Sequence, residues 1–143
     1  MSDEWVVDAN VGIKLFIAEE LSPAAELLFG RLREDPPVRL YVPDLFYLEC
    51  TNILWKHVRR FAYPMEDARE DLVALRRLAL DLIASAELVS ASLDLAMAQS
   101  ISAYDACYAA LSTWLGVPLV TADERLIRKL DGSGVSVRWL GDL

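Results

Sequence analysis

Apolar residues fall into two rhythms along the chain. Short unbroken runs close at acidic or turn-forming residues: Trp5-Val6-Val7 before Asp8, Arg39 to Val42 before Pro43, Glu87 to Ser90, Pro118 to Thr121, and Val135 to Leu140. Such runs read as buried strands. Between them, apolar positions recur at helical spacing. Val11, Leu15 and Phe16 follow Asp8 and Asn10, either of which can cap a helix. Ser22-Pro23 opens a second helix, with Ser at the cap, Pro in the first turn, and Ala25, Leu28, Phe29 and Leu32 on the core face. Asp44 is expected to cap a strongly apolar helix from Leu45 to about Phe61. After Pro64 a longer one is expected over Glu66 to Ala84, with Leu72, Leu75, Leu78, Leu82 and Ile83 on one face. Ser92 starts a short helix, Ser102 caps another that stops at Gly116, and Asp123 to Leu130 is helical before the Asp131-Gly132 turn.

Strands alternating with helices from end to end predict an α/β domain whose mainly parallel sheet is covered on both faces. No Pro/Gly/Ser-rich linker or internal repeat interrupts the 143 residues, so one domain over 1–143 is expected. An apolar content of 55% excludes a disordered chain, and two cysteines are too few for a disulfide scaffold. Cys50 and Cys107 sit inside apolar helical patterns and read as free thiols of a reducing compartment. The longest charge-free stretch, Ala106 to Ala122, is broken by Gly116-Val117-Pro118, and the acidic start M-S-D-E-W is no secretory signal. A soluble cytoplasmic domain without a membrane partner follows as the expectation. The net charge of −8 argues against a general nucleic-acid binder.

In a parallel sheet, sites form beyond the carboxyl ends of the strands. Asp8 ends the first strand there, and Thr121-Ala122-Asp123 ends the one before the last helix. Asp105 lies in the first turn of the helix that Ser102 caps, and Glu49 lies in the second turn of the helix after Pro43. Each has a plain structural use as well. Asp8 and Asp123 can cap helices. Ser102-x-x-Asp105 has the form of a capping box. Glu49 can occupy a polar stripe with Lys56 nearby, although Leu45 and Ile53 share its face. Four carboxylates on one sheet edge have a collective consequence. Two of them about 5 Å apart repel by about 3 kcal/mol at an effective dielectric near 20. They must take up protons or recruit a cation, and oxygen ligands suit Mg²⁺ or Mn²⁺. Such an ion binds a phosphate oxygen and acidifies a bound water, the chemistry of phosphodiester hydrolysis. Zinc chemistry is disfavoured by a single histidine, His57, which lies in the basic run Lys56-His57-Val58-Arg59-Arg60. No P-loop, G-x-G-x-x-G or G-x-S-x-G motif is present.

The segments V-V-D-A-N-V-G-I-K-L-F, D-L-F-Y-L-E-C-T-N-I-L, S-A-Y-D-A-C-Y-A-A-L and P-L-V-T-A-D-E-R-L, in that order, resemble the PIN-domain family of metal-dependent ribonucleases, in particular VapC-type toxins. The resemblance spans almost the whole chain. It implies a three-layer α/β/α sandwich and endonucleolytic RNA cleavage with Mg²⁺, or Mn²⁺ in its place. It further implies Asp8, Glu49, Asp105 and Asp123 as the metal-binding and catalytic acids, with a metal-activated water as nucleophile. Asn10, where family members often carry Ser or Thr, and Thr121 would orient carboxylates. A cognate antitoxin that brings basic side chains to the acids, and a homodimer, are the implied partners. Leu-rich helix faces and Phe46/Tyr47 also offer apolar surface for self-association. RNA contacts are expected from Lys14, Lys56, Arg59 and Arg60, with Arg76-Arg77 as a second basic cluster. Trp55, Tyr104 and Trp114 could stack bases, but they stand at helical spacing and read as core. Two alternatives stay open: a housekeeping RNA-processing nuclease of this family, and a catalytically idle fold used as a protein-interaction module. A phosphatase of the haloacid dehalogenase kind would need Asp-x-Asp where this chain has Asp8-Ala9-Asn10.

Overall fold

In the computed structural model, which describes residues 3–143, the apolar runs pair into one sheet. The strands are β1 (Glu4–Val7), β2 (Arg39–Pro43), β3 (Asp81–Ile83), β4 (Leu119–Thr121) and β5 (Val137–Trp139), in spatial order β3-β2-β1-β4-β5. Every pairing is parallel, with Val6 opposite both Tyr41 of β2 and Leu119 of β4. The three central strands carry the most apolar runs because both their faces are covered: Val6, Val7, Leu40, Val42, Leu119 and Val120 are fully buried.

The helices are α1 (Ala9–Gly12), α2 (Ser22–Gly30), α3 (Leu45–Arg60), α4 (Met65–Arg77), α5 (Val89–Gln99), α6 (Ala103–Leu115) and α7 (Glu124–Leu130). With the sheet they form a three-layer α/β/α sandwich. Helix α6 lies across β1, β2 and β4 beneath α5, and its residues 106–112 are buried on all sides. That explains a helix apolar around its whole circumference. Ser102 caps it by accepting the Asp105 N–H at 3.0 Å, and Gly116 ends it in the left-handed conformation at φ 70°. Helix α3 packs on β2, α1 and α4. At its crossing with α1 the Phe46 ring lies so close against Gly12 that a Cβ there would stand 2.6 Å from Phe46 Cζ.

The third strand differs from expectation. It is Asp81–Ile83, within the stretch read as the end of a long helix, whereas Glu87–Ser90 forms a 3₁₀ turn and the start of α5. Helix α4 stops at Arg77, and Asp81 joins the sheet edge where its carboxylate meets Arg39 at 3.4 Å. Three polar residues also have other uses than those expected. Asp44 makes no side-chain cap and accepts the Ser85 N–H at 3.2 Å. Ser22 accepts the Glu19 N–H and donates to the Ile17 carbonyl, and Ser92 lies buried inside α5, donating to the Leu88 carbonyl. Among the described residues no helix is long and apolar enough to cross a membrane.

Candidate metal centre

Strand order reverses between β1 and β4, since the chain leaves β1 for β2 and leaves β4 for β5 on the opposite side. The crevice beyond the carboxyl ends of those two strands is where an open parallel sheet offers a site. Asp8 follows β1 directly, and Thr121 ends β4 two residues before Asp123. Helices α3 and α6 bring Glu49 and Asp105 to the same place. Asp8, Glu49, Asp105 and Asp123 line one groove of about 760 Å³, together with Asn10, Asn52, Lys56, Tyr104 and the aliphatic Leu45, Leu48 and Ile53.

Asp8 is 5% exposed and stands at the N-cap position of α1, yet its side chain makes no capping bond. Its Oδ2 instead accepts from Thr121 Oγ1 at 2.9 Å and Asn10 Nδ2 at 3.2 Å. Thr121 and Asn10 are themselves fixed: Thr121 Oγ1 accepts the Asp123 N–H at 3.1 Å, and Asn10 Oδ1 accepts the Ala122 N–H at 3.0 Å. A small polar lattice thus ties the end of β4 to the loop after β1 and holds the Asp8 carboxylate in one orientation. Burial pushes the Asp8 carboxyl up from 3.8 to about 7, against the Thr121 hydrogen bond and with help from the charges on Asp105 and Glu49.

Glu49 is half-buried, and burial raises its pKa while a hydrogen bond lowers it. The donor is the hydroxyl of Tyr108, fully buried on α6, at 2.7 Å. Tyr108 was not among the residues singled out from the sequence. Its signal was weak but present: a large polar-tipped side chain one turn after Asp105, flanked by the small Ala106, Cys107, Ala109 and Ala110. Burial and then the neighbouring Asp123 raise the Asp105 pKa, opposed by Ser102 and Arg125. Asp123 does cap α7, but both capping bonds, from the Arg125 and Leu126 N–H groups, use Oδ1. Its Oδ2 accepts none among the described residues.

None of the four carboxylates has an ion-pair partner among the described residues. Nor do three Asp, Glu, His or Cys side chains stand close enough to close directly on one ion. The donor set is all carboxylate oxygen around an open groove. It fits a hard divalent ion that keeps several of its waters and is held directly by one or two carboxylates, with the others reached through water. It does not fit a closed zinc cage.

The basic residues expected to meet RNA separate into two groups. Lys56 lines the groove, and Arg59 and Arg60 are exposed further along α3, Arg59 lying over the Trp55 ring. Lys14 is buried, and its ammonium is held by Glu19 Oε2 at 2.8 Å and the Asn10 carbonyl at 3.0 Å, so it braces the loop after β1 and meets no solvent phosphate. The aromatic residues read as core are exposed: Trp55 51%, Tyr104 66% and Trp114 61%.

A family model for the PIN domain matches residues 5–132. Ribonuclease VapC3 of Pyrobaculum aerophilum is 34% identical over 126 residues, covering 87% of this chain and 92% of that protein. Among solved structures, PAE2754 from Pyrobaculum aerophilum superposes with a TM-score of 0.71 at 23% identity, over 97% of this chain and 85% of that one. VapBC2 from Rickettsia felis, bound to a DNA fragment from its promoter, matches with a TM-score of 0.65 at 13% identity, over 95% and 98%. A toxin–antitoxin complex from Klebsiella pneumoniae matches at 0.63 and 16%, over 93% and 94%. At these identities the structural matches speak to the fold.

Proposed function

The chain belongs to the PIN-domain family, and on that footing we propose that it is a divalent-metal-dependent endoribonuclease, the toxin of a toxin–antitoxin pair. The observation that carries the reading is the groove at the β1/β4 switch point. Four carboxylates from four separate segments line it with no ion pair among the described residues, and the most buried of them, Asp8, is held at a raised pKa. An uncompensated acidic cluster of this kind is unfavourable unless something positive occupies it. Identity of 34% to a protein named a ribonuclease, over most of both chains, supports the choice of RNA as substrate.

In this reading Asp8, Glu49 and Asp105 hold Mg²⁺, or Mn²⁺ in its place, directly or through water, and Asp123 reaches it through water. When bound, the ion offsets charge on the scissile phosphate and makes a water nucleophilic at neutral pH. The protein's own part is orientation. Thr121 and Asn10 fix the Asp8 carboxylate, and Tyr108 fixes and acidifies Glu49. Lys56 offers a charge to a phosphate at the groove wall.

The toxin assignment is supported by fold neighbours that are toxin–antitoxin complexes. An antitoxin would bring basic side chains to the acids. Self-association as a homodimer has a surface to use: Val89, Leu93 and Met97, spaced by four on α5, are all more than half exposed. The test is incubation of the protein with single-stranded RNA in Mg²⁺ or Mn²⁺ and in chelator, with products resolved on a denaturing gel. Internal cleavage that needs the metal and disappears in Asp105→Asn is expected. RNA left intact by the wild type in both metals contradicts the reading.

A further inference from the structure

A second cleft adjoins the acidic groove. It has a volume of about 240 Å³ between the start of α6 and α7, and its polar lining is Ser100, Ser102, Asp105, Asp123, Arg125 and Lys129. Asp105 and Asp123 belong to both clefts and so form the ridge between them. The two sides differ in chemistry. On one stand the Tyr104 ring and the aliphatic wall of Leu45, Leu48 and Ile53. On the other stand two hydroxyls and two cations. We propose that single-stranded RNA crosses this ridge, one base lying against Tyr104 in the larger groove and a phosphate on the far side lying against Arg125 and Lys129. The proposal rests on the ribonuclease reading and deepens it.

Tyr104 is the residue just before Asp105. It is 66% exposed where the following turns of α6 are buried, and it makes no ring–ring contact among the described residues. An aromatic face left open beside a row of acids matches the platform on which unpaired bases stack. A duplex keeps its base faces stacked inside the helix and cannot use it. Charge supports the other half. A chain of net charge −8 with four carboxylates in its groove repels RNA, so approach to the acids needs cations beside them. Lys56 supplies one on the tyrosine side, and Arg125 and Lys129 supply two on the other. Neither Arg125 nor Lys129 is ion-paired among the described residues. Two cations outside any ion pair, Arg125 also lowering the Asp105 pKa across the ridge, disfavour a basic peptide on that side, which separates this cleft from the surface an antitoxin's basic residues would take.

The test is fluorescence anisotropy with a short labelled single-stranded RNA, with Ca²⁺ in place of Mg²⁺ and the RNA checked intact afterwards. Titrations are run at several salt concentrations. Tyr104→Ala is expected to weaken binding about 10-fold, while Tyr104→Phe, which keeps the ring, stays within about twofold of wild type. The pair Arg125→Ala and Lys129→Ala together should flatten the slope of log affinity against log salt by about 0.7, the value of one phosphate in a single strand. Arg128→Ala is the control, since it removes one positive charge from the same helix but does not line the cleft. RNA binding that Tyr104→Ala leaves unchanged, or a slope lowered equally by Arg128→Ala, overturns the strand path alone. A wild type that neither binds nor cleaves RNA overturns the ribonuclease reading and the path with it.

Discussion

Replacing Asp8 by Asn should make the metal-free protein more stable at alkaline pH, although it removes a residue of the candidate centre. The carboxyl titrates near 7 in the folded chain and near 3.8 in the unfolded one. Below pH 3.8 it is protonated in both states and pH has no leverage through it. Between 3.8 and 7 the unfolded chain releases the proton and the folded chain keeps it, so stability falls as pH rises. Above 7 both are ionised and the loss is complete. A difference of 3.2 between the two values, at 1.36 kcal/mol each, puts the full loss at about 4 kcal/mol. Asn keeps an oxygen to accept from Thr121 and Asn10 and carries no charge to desolvate. For a domain of this length the gain corresponds to roughly 10 °C in Tm. The assay is thermal melting of wild type and Asp8→Asn in chelator from about pH 4 to pH 8. The two Tm values should meet near pH 4, diverge through pH 7 and then run parallel. An Asp8→Asn protein that melts below wild type at pH 8, or by a constant margin at every pH, would refute the picture of a buried, uncompensated carboxylate.

Other consequences are local. Tyr108→Phe removes the hydrogen bond that lowers the Glu49 pKa, so Mn²⁺ affinity by calorimetry should fall about 10-fold, more at pH 6 than at pH 8. Thr121→Val leaves the Asp123 N–H without its acceptor and Asp8 without its nearest donor. A loss of about 1–3 kcal/mol in urea unfolding is expected, with Thr121→Ser recovering most of it. Gly12→Ala places a methyl group 2.6 Å from Phe46 Cζ and should cost about 1–3 kcal/mol, part of it relieved by Phe46→Leu.

The central strands and the acids beyond them were legible because both signals are local. Val6-Val7, Leu40 to Val42 and Leu119-Val120 are short apolar runs, and each acid stands at a strand end or in the opening turns of a helix. Strand β3 was not, because Leu72, Leu75, Leu78 and Leu82 hold one helical spacing through α4 and into the strand. A three-residue edge strand has no room for an alternation of its own. What places it is long-range, the ladder from Asp81 to Tyr41 and the pair with Arg39. The same limit hid the Tyr108–Glu49 hydrogen bond, whose partners are 59 residues apart. It also hid Arg125 and Lys129, which read as ordinary polar positions of a short helix until α7 is set beside α6. Tyr104 and Lys14 show the converse. Spacing predicted a core tyrosine and a lysine free to meet a phosphate, while the helix start leaves Tyr104 outside and Glu19 draws Lys14 in.

The claim that the four carboxylates form a divalent metal centre is tested most directly by Mn²⁺ protection against melting at pH 8, for wild type and for Asp8→Asn, Glu49→Gln and Asp105→Asn. An ion that binds only the folded chain, at 100 times its dissociation constant, stabilises by about 2.7 kcal/mol, a shift of several degrees. Wild type should show that rise, and each variant should lose it or show it markedly reduced. A wild-type Tm indifferent to Mn²⁺, or an equal rise in all four proteins, would contradict it.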